Sequence, residues 1–162
     1  MVTFLLNMIV KDEAQIIIQS LENICAKIKL DYYVICDTGS TDGTPELILK
    51  FFQDKNIPGE MYYDEWKNFG YNRTLAIQRA YNKSDFALLC DPDNLLAGDF
   101  VFTHLDSTDA YYFKIVSGPD LTYHLIKLVN NRKRWHYVGV THEYIECLDK
   151  NINYLERCVE SP

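Results

Sequence analysis

Asp91 and Asp93 stand one residue apart at the end of an apolar run, Phe86-Ala87-Leu88-Leu89-Cys90. That run has the length of a buried strand, whose apolar side chains belong inside. Two carboxylates at its carboxyl end repel each other, and a divalent cation or another ligand relieves that repulsion. Acids also follow three other apolar runs: Asp12 after residues 3–10, Asp37 after 32–36 and Asp64 after 61–63. One acid after a strand is ordinary turn chemistry. Four of them, on a chain with no basic patch, suggest a site. Asp37 opens Thr38-Gly39-Ser40-Thr41-Asp42-Gly43-Thr44, a loop whose small residues let the backbone approach a ligand closely. Arg73 can reach a phosphate or pair with Asp64 or Asp91, and its position leaves both roles open.

These residues need elements to hold them. Lys11-Asp12-Glu13 opens a helix in which Ile17, Leu21, Ile24 and Ile28 recur at helical spacing. As the first residues of that helix, Asp12 and its neighbours also admit a plain capping role. A second helix starts at Thr44-Pro45, with Leu47, Ile48, Phe51 and Phe52 facing inward. A third is expected over about residues 70–81, carrying Arg73. Strands alternating with helices give an α/β fold, with a mainly parallel sheet and helices on both faces. Such a sheet delivers every parallel strand's carboxyl end to one edge, where ligands bind. Beyond Asn94 the pattern changes to shorter strands over residues 110–116, 122–130, 137–140 and 153–159. They are expected to be antiparallel and to cover the site. The chain reads as a single domain over 1–162, with a nucleotide-binding half to about residue 95 and a site-completing half from about 96.

Composition narrows the function. A formal charge of −7 argues against binding a nucleic-acid backbone, and suits a chain that recruits a metal ion to handle anionic substrates. Arg132-Lys133-Arg134 is expected to be a solvated turn, with a phosphate contact as the sharper alternative. Five cysteines without a Cys-x-x-Cys pair fit a reduced, cytoplasmic protein, with Cys36 and Cys90 as buried packing. No transmembrane segment is expected, since no run approaches about 20 apolar residues. The end of the chain, residues 157–162, is a frayed end or the point where a longer protein was cut.

Five segments together resemble the family 2 glycosyltransferases. They are Asn7-Met8-Ile9-Val10-Lys11-Asp12-Glu13, the loop from Val34 to Thr44, Trp66-Lys67-Asn68-Phe69-Gly70-Tyr71-Asn72-Arg73, Asp91-Pro92-Asp93-Asn94, and Trp135-His136-Tyr137-Val138-Gly139-Val140-Thr141-His142-Glu143. The resemblance implies a GT-A fold and inverting transfer of a sugar from a nucleotide-sugar donor, with a UDP-sugar the first expectation, to an acceptor hydroxyl. It implies Mn²⁺ or Mg²⁺ as cofactor, with Asp91, Asp93 and His142 as ligands. Asp37 would hydrogen-bond the base, and Asp12, Asp64, Arg73 and Asp91 would complete the donor site. Glu143 would be the general base. If residues 142–143 are extended they face opposite ways, so both serve one site only if a bend intervenes. Trp66 and Trp135 are expected in the core, with stacking on base or sugar the alternative. Two other functions stay open: a nucleotide-sugar-binding module without turnover, and a divalent-metal phosphotransferase. The acceptor is not specified by the sequence.

Overall fold

The computed structural model describes residues 1–155 and 159–160. Its elements alternate through the first half: β1 (Phe4–Val10), α1 (Ile17–Lys27), β2 (Tyr32–Asp37), α2 (Thr44–Asp54), β3 (Gly59–Tyr63), α3 (Phe69–Ala80) and β4 (Phe86–Leu89). The second half contributes β5 (Phe100–Val101), β6 (Ala110–Ser117), β7 (Leu121–Asn130), β8 (Trp135–Val138), β9 (Tyr144–Cys147), β10 (Tyr154–Leu155) and β11 (Val159–Glu160). Seven strands form the main sheet in the order β10-β6-β7-β4-β1-β2-β3. β3, β2, β1 and β4 are mutually parallel, β7 and β6 continue antiparallel, and β10 returns parallel to β6. The α/β class expected from the sequence is the one observed.

Alternation along the strands explains the layering. Leu6, Met8 and Val10 of β1 face a core shared with Ile17, Leu21 and Ile24 of α1 and Ile48 and Phe52 of α2. Leu5 faces the opposite side, with Ile77 and Ala80 of α3. Cys36 and Cys90 are buried packing, as expected, and burial pushes their thiols up to about 11 and about 12. Among the described residues no helix is long and apolar enough to cross a membrane.

Three expectations need correction. α1 begins at Ile17 and not at Lys11, because Asp12 adopts a left-handed φ of 51° that breaks the helical path. The late strands are not all antiparallel, since β10 runs parallel to β6. A strand at Tyr144–Cys147 pairs with β8 to form a separate hairpin, where the sequence suggested only its first arm. The expectation for the terminal segment lies outside the described residues, apart from Val159 and Glu160.

The β8–β9 hairpin pairs with no strand of the main sheet but packs on α3 and on one face of that sheet, where Trp135 joins Ile77, Ala80, Leu89 and Val129. Tyr137 donates its backbone N–H to the Thr74 hydroxyl at 2.9 Å. A side chain on Gly70 would place its Cβ 2.1 Å from the Gly139 carbonyl oxygen, so only glycine lets the hairpin's loop come this close. Gly139 itself has φ 101°, which turns the chain out of β8. Trp135 is buried and donates its indole N–H to the Asn130 carbonyl at 2.9 Å, the core role expected of it.

Candidate active site

At the carboxyl edge of β1 and β2, two loops are stitched to each other. The Asp12 N–H donates to the Ser40 hydroxyl and the Thr41 N–H to an Asp12 carboxylate oxygen, both at 2.8 Å. The Glu13 N–H donates to the Thr44 hydroxyl at 2.8 Å, and the Ala14 N–H to Asp42 at 3.0 Å. Asp12 thus anchors a loop; the N-cap of α1 is Ile16, four residues later, so Asp12 does not cap that helix. Asp37 is buried, and its Oδ2 accepts the Gly39 and Ser40 N–H groups at 3.0 and 2.9 Å. Its Oδ1 is buried with no hydrogen-bond partner among the described residues, an arrangement that costs stability until a donor arrives.

At the end of β4 the charges converge. Arg73, from the first turns of α3, donates to Asp91 at 2.5 Å, and its Nε lies 3.1 Å from Glu143 Oε1. The Nε contact is an ion pair by distance but is not aligned as a hydrogen bond. Lys127 of β7 stands 3.7 Å from the other Asp91 oxygen and donates to Asn94 Oδ1 at 3.3 Å. Burial pushes the Asp91 carboxyl up, but the adjacent Arg73 and Lys127 charges outweigh it and hold the group below its ordinary value. Residues 139–143 form a loop between the hairpin strands, but it brings only Glu143 to Arg73 and leaves His142 exposed, so the two do not share one site.

Asp93 follows in a tight turn, in which the Asn94 N–H donates to the Asp91 carbonyl at 3.1 Å. Asn23 of α1 holds the next residues by bonding both the N–H and the carbonyl of Leu96, at 2.7 and 3.0 Å. Asp93 is exposed and accepts no hydrogen bond among the described residues. It borders a cleft of about 550 Å³ with Lys11, Glu13, Thr38, Trp66, Arg73 and Asp91. The Glu13 carboxyl is raised above its ordinary value by burial first, and then by the negative charges of Asp93, Asp42, Asp12 and Asp91. Among the described residues no three His, Cys, Asp or Glu side chains converge as a metal-holding group, so Asp91, Asp93 and His142 are not preassembled. A magnesium-like ion shared with substrate phosphates needs only one or two carboxylates, and Asp93 with Glu13 fits that requirement.

Asp64 stands apart from this cleft. Its carboxylate pairs with Arg79 at 2.5 Å, and the Arg79 guanidinium also lies 4.3 Å from the centre of the Tyr62 ring. Arg132, Lys133 and Arg134 face Asp85, Asp109 and Asp149, which makes them a solvated, internally paired turn. Trp66 is 39% exposed and packs edge-on against Phe69, in the cleft wall rather than the core. Buried Asn72 shapes that wall: its amide accepts the Lys67 N–H at 2.9 Å and donates to the Glu65 carbonyl at 3.0 Å. Sequence reasoning gave no role to Glu13, Lys127 or Arg79. Glu13 lay within a recognised segment and could have been weighed, whereas Lys127 and Arg79 carry no local signal.

The family model of Glycosyl transferase family 2 matches residues 7–137. The chain belongs to that family. No curated protein matches the sequence. The fold is similar to that of S. aureus TarS 1-349 in complex with UDP, at 19% identity and a TM-score of 0.57, covering 74% of this chain and 38% of that one. A further structure of S. aureus TarS gives 20% identity and a TM-score of 0.56, covering 74% of this chain and 23% of that one. A third likeness is to the mannosyltransferase PcManGT from Pyrobaculum calidifontis in complex with GDP-Man and Mn²⁺. It has 16% identity and a TM-score of 0.51, covering 68% of this chain and 34% of that one. The chain spans well under half the length of each of these proteins, and at these identities the likeness is one of fold.

Proposed function

We propose that this chain provides the donor site and base of an inverting glycosyltransferase that uses a UDP-sugar and a divalent cation. The observation that carries the reading is the cleft at the carboxyl edge of β1 and β4, where the free carboxylate of Asp93 faces Glu13 beside Arg73. Residues up to about 95 would hold the nucleotide, and those after it would complete the site. The Asp37 Oδ1 supplies the acceptor that a ring N–H of uracil requires. Thr38 and the Ser40 loop offer close backbone approach to the ribose, and Trp66 a ring at the cleft rim. Asp93 and Glu13 would hold Mn²⁺ or Mg²⁺, which supplies Lewis-acid neutralisation of the departing diphosphate. Asp91 is already committed to Arg73 and Lys127, so its contribution is to fix those cations near the diphosphate. His142 can join the ligands only if its loop moves. Asp64 acts by orienting Arg79 and not by touching the donor. Glu143, with Oε1 beside Arg73, presents its second oxygen to take the acceptor's proton.

Turnover tests this reading. Incubated with Mn²⁺, UDP-glucose, UDP-galactose and UDP-N-acetylglucosamine, and a mixture of glycan, peptide and lipid acceptors, the chain releases UDP from at least one donor. Glu143→Gln lowers that rate by about 10³-fold, within the range for losing a general base. A chain that binds UDP yet never releases it from any donor contradicts turnover and is a binding module.

A further inference from the structure

β7 carries one residue more than β6 where the two pair. Tyr111 stands opposite Leu128 and Tyr112 opposite Ile126, so Lys127 is the extra residue of a β-bulge. The bulge resets the alternation: Ile126 and Val129, three residues apart, pack in the same cluster, which an unbroken strand does not allow. Bulges bend a strand and re-aim the side chain at that point. This one aims Lys127 at the turn after β4. The lysine lines a second cleft of about 350 Å³, which holds Glu143, and a third of about 260 Å³, which Asp93 and Asn94 border.

Two groups seat the ammonium. Its Nζ lies 3.7 Å from Asp91 Oδ2 and 3.3 Å from Asn94 Oδ1. The same Asn94 oxygen accepts the Asp91 N–H at 3.2 Å, so one amide ties the turn to the lysine. Arg73 takes the other Asp91 oxygen, Oδ1. Each oxygen of Asp91 thus faces a cation of the protein itself. The neutral amide at position 94 leaves the lysine's charge to Asp91, where a carboxylate would share it. We infer that Lys127 is a positioning residue that holds Asp91 out of the cation's coordination, leaving the cation to Asp93 and Glu13. The inference rests on the donor reading above. Cation affinity follows the number of charged ligands, and two carboxylates suit a magnesium-like ion whose remaining ligands are waters and substrate phosphates. A third carboxylate would let the ion bind without the nucleotide. Lys127 thereby makes cation binding depend on the diphosphate.

Electron paramagnetic resonance of Mn²⁺, titrated into the chain without nucleotide, reads this directly. Wild type is expected to bind Mn²⁺ weakly. Lys127→Met frees Asp91 and binds Mn²⁺ about tenfold more tightly, as one added carboxylate ligand predicts. Lys127→Arg keeps the charge and stays at the wild-type value. Loss of a nearby positive charge attracts a cation by itself, so a double-mutant cycle separates the two causes. On an Asp91→Asn background, Lys127→Met is expected to add less than about twofold, the usual limit of additivity. An undiminished gain on that background, an equal gain from Lys127→Arg, or no gain from Lys127→Met overturns the inference. Thermal melts without metal show whether the variants fold. If Lys127→Met does not, Asn94→Ala removes the lysine's seat and is expected to gain in the same direction, and no gain from it overturns the inference. Calorimetry with UDP on the same samples separates this inference from the donor reading. UDP binding tightened by Mn²⁺ in wild type, with no Mn²⁺ gain in Lys127→Met, overturns the inference and leaves the donor reading intact. A gain in Lys127→Met, from a chain whose UDP binding ignores Mn²⁺, keeps the lysine's role and removes the donor reading.

Discussion

Arg73 is the residue on which the site's electrostatics turn. It is largely buried between Asp91 and Glu143, and removing it leaves Glu143 without that partner and Asp91 with Lys127. Breaking a buried pair from one side is costly, so Arg73→Met should lose about 3 kcal/mol, or roughly 10 °C in Tm. The pH dependence has a definite sign. Asp91 is held below its ordinary value, so its contribution is present above the ordinary carboxylate range and disappears as pH falls through the folded-state value. Thermal melts at pH 7 and at acidic pH should therefore show the gap between wild type and Arg73→Met narrowing on acidification. A constant gap would mean that Arg73 stabilises by packing alone. At this scale the sequence was partly legible. Asp91 and Asp93 stood out because an apolar strand has no other use for paired carboxylates at its end. Arg73 was recognised with its partner undecided, because Glu143 lies 70 residues away and only the docked hairpin reveals the pairing.

At the scale of elements, the hairpin's seat on α3 decides where Glu143 stands. Gly70 and Gly139 both belong to segments singled out in the sequence, yet nothing in either segment announces that the two touch. Gly70→Ala would force its Cβ against the Gly139 carbonyl and push the hairpin's loop away from α3. The expected cost is about 2 kcal/mol of stability, typical of overpacking. Turnover should fall much further than UDP affinity, because Glu143 moves and the Asp93 cleft does not. Equal losses in turnover and UDP affinity would show that the hairpin also shapes the donor cleft. Helical spacing predicted the buried stripe of α1 correctly but not its start, since stitching residues 12–14 to the 38–44 loop holds Asp12 in a left-handed turn. The β9 strand escaped notice because its short alternation of exposed and half-buried residues, Tyr144 to Cys147, gives little contrast.

For the whole molecule, a mainly parallel sheet gathers the ends of separate strands at one edge, and Asp12, Asp37, Asp64 and Asp91 all follow those ends. Asp37 and Asp12 organise the loop after β2, Asp91 fixes the cations, and Asp64 is spent on Arg79 instead. The antiparallel extension by β7 and β6 then supplies Lys127 and the second cleft, neither of which any local motif signals. In the proposed donor site Asp93 and Glu13 hold a cation against a bound nucleoside diphosphate. Calorimetric titration of UDP, with and without Mn²⁺, into wild type and Asp93→Ala tests this. Binding tightened at least about tenfold by Mn²⁺, with that gain lost in the variant, is the predicted result. UDP binding that ignores both the cation and Asp93 would contradict it.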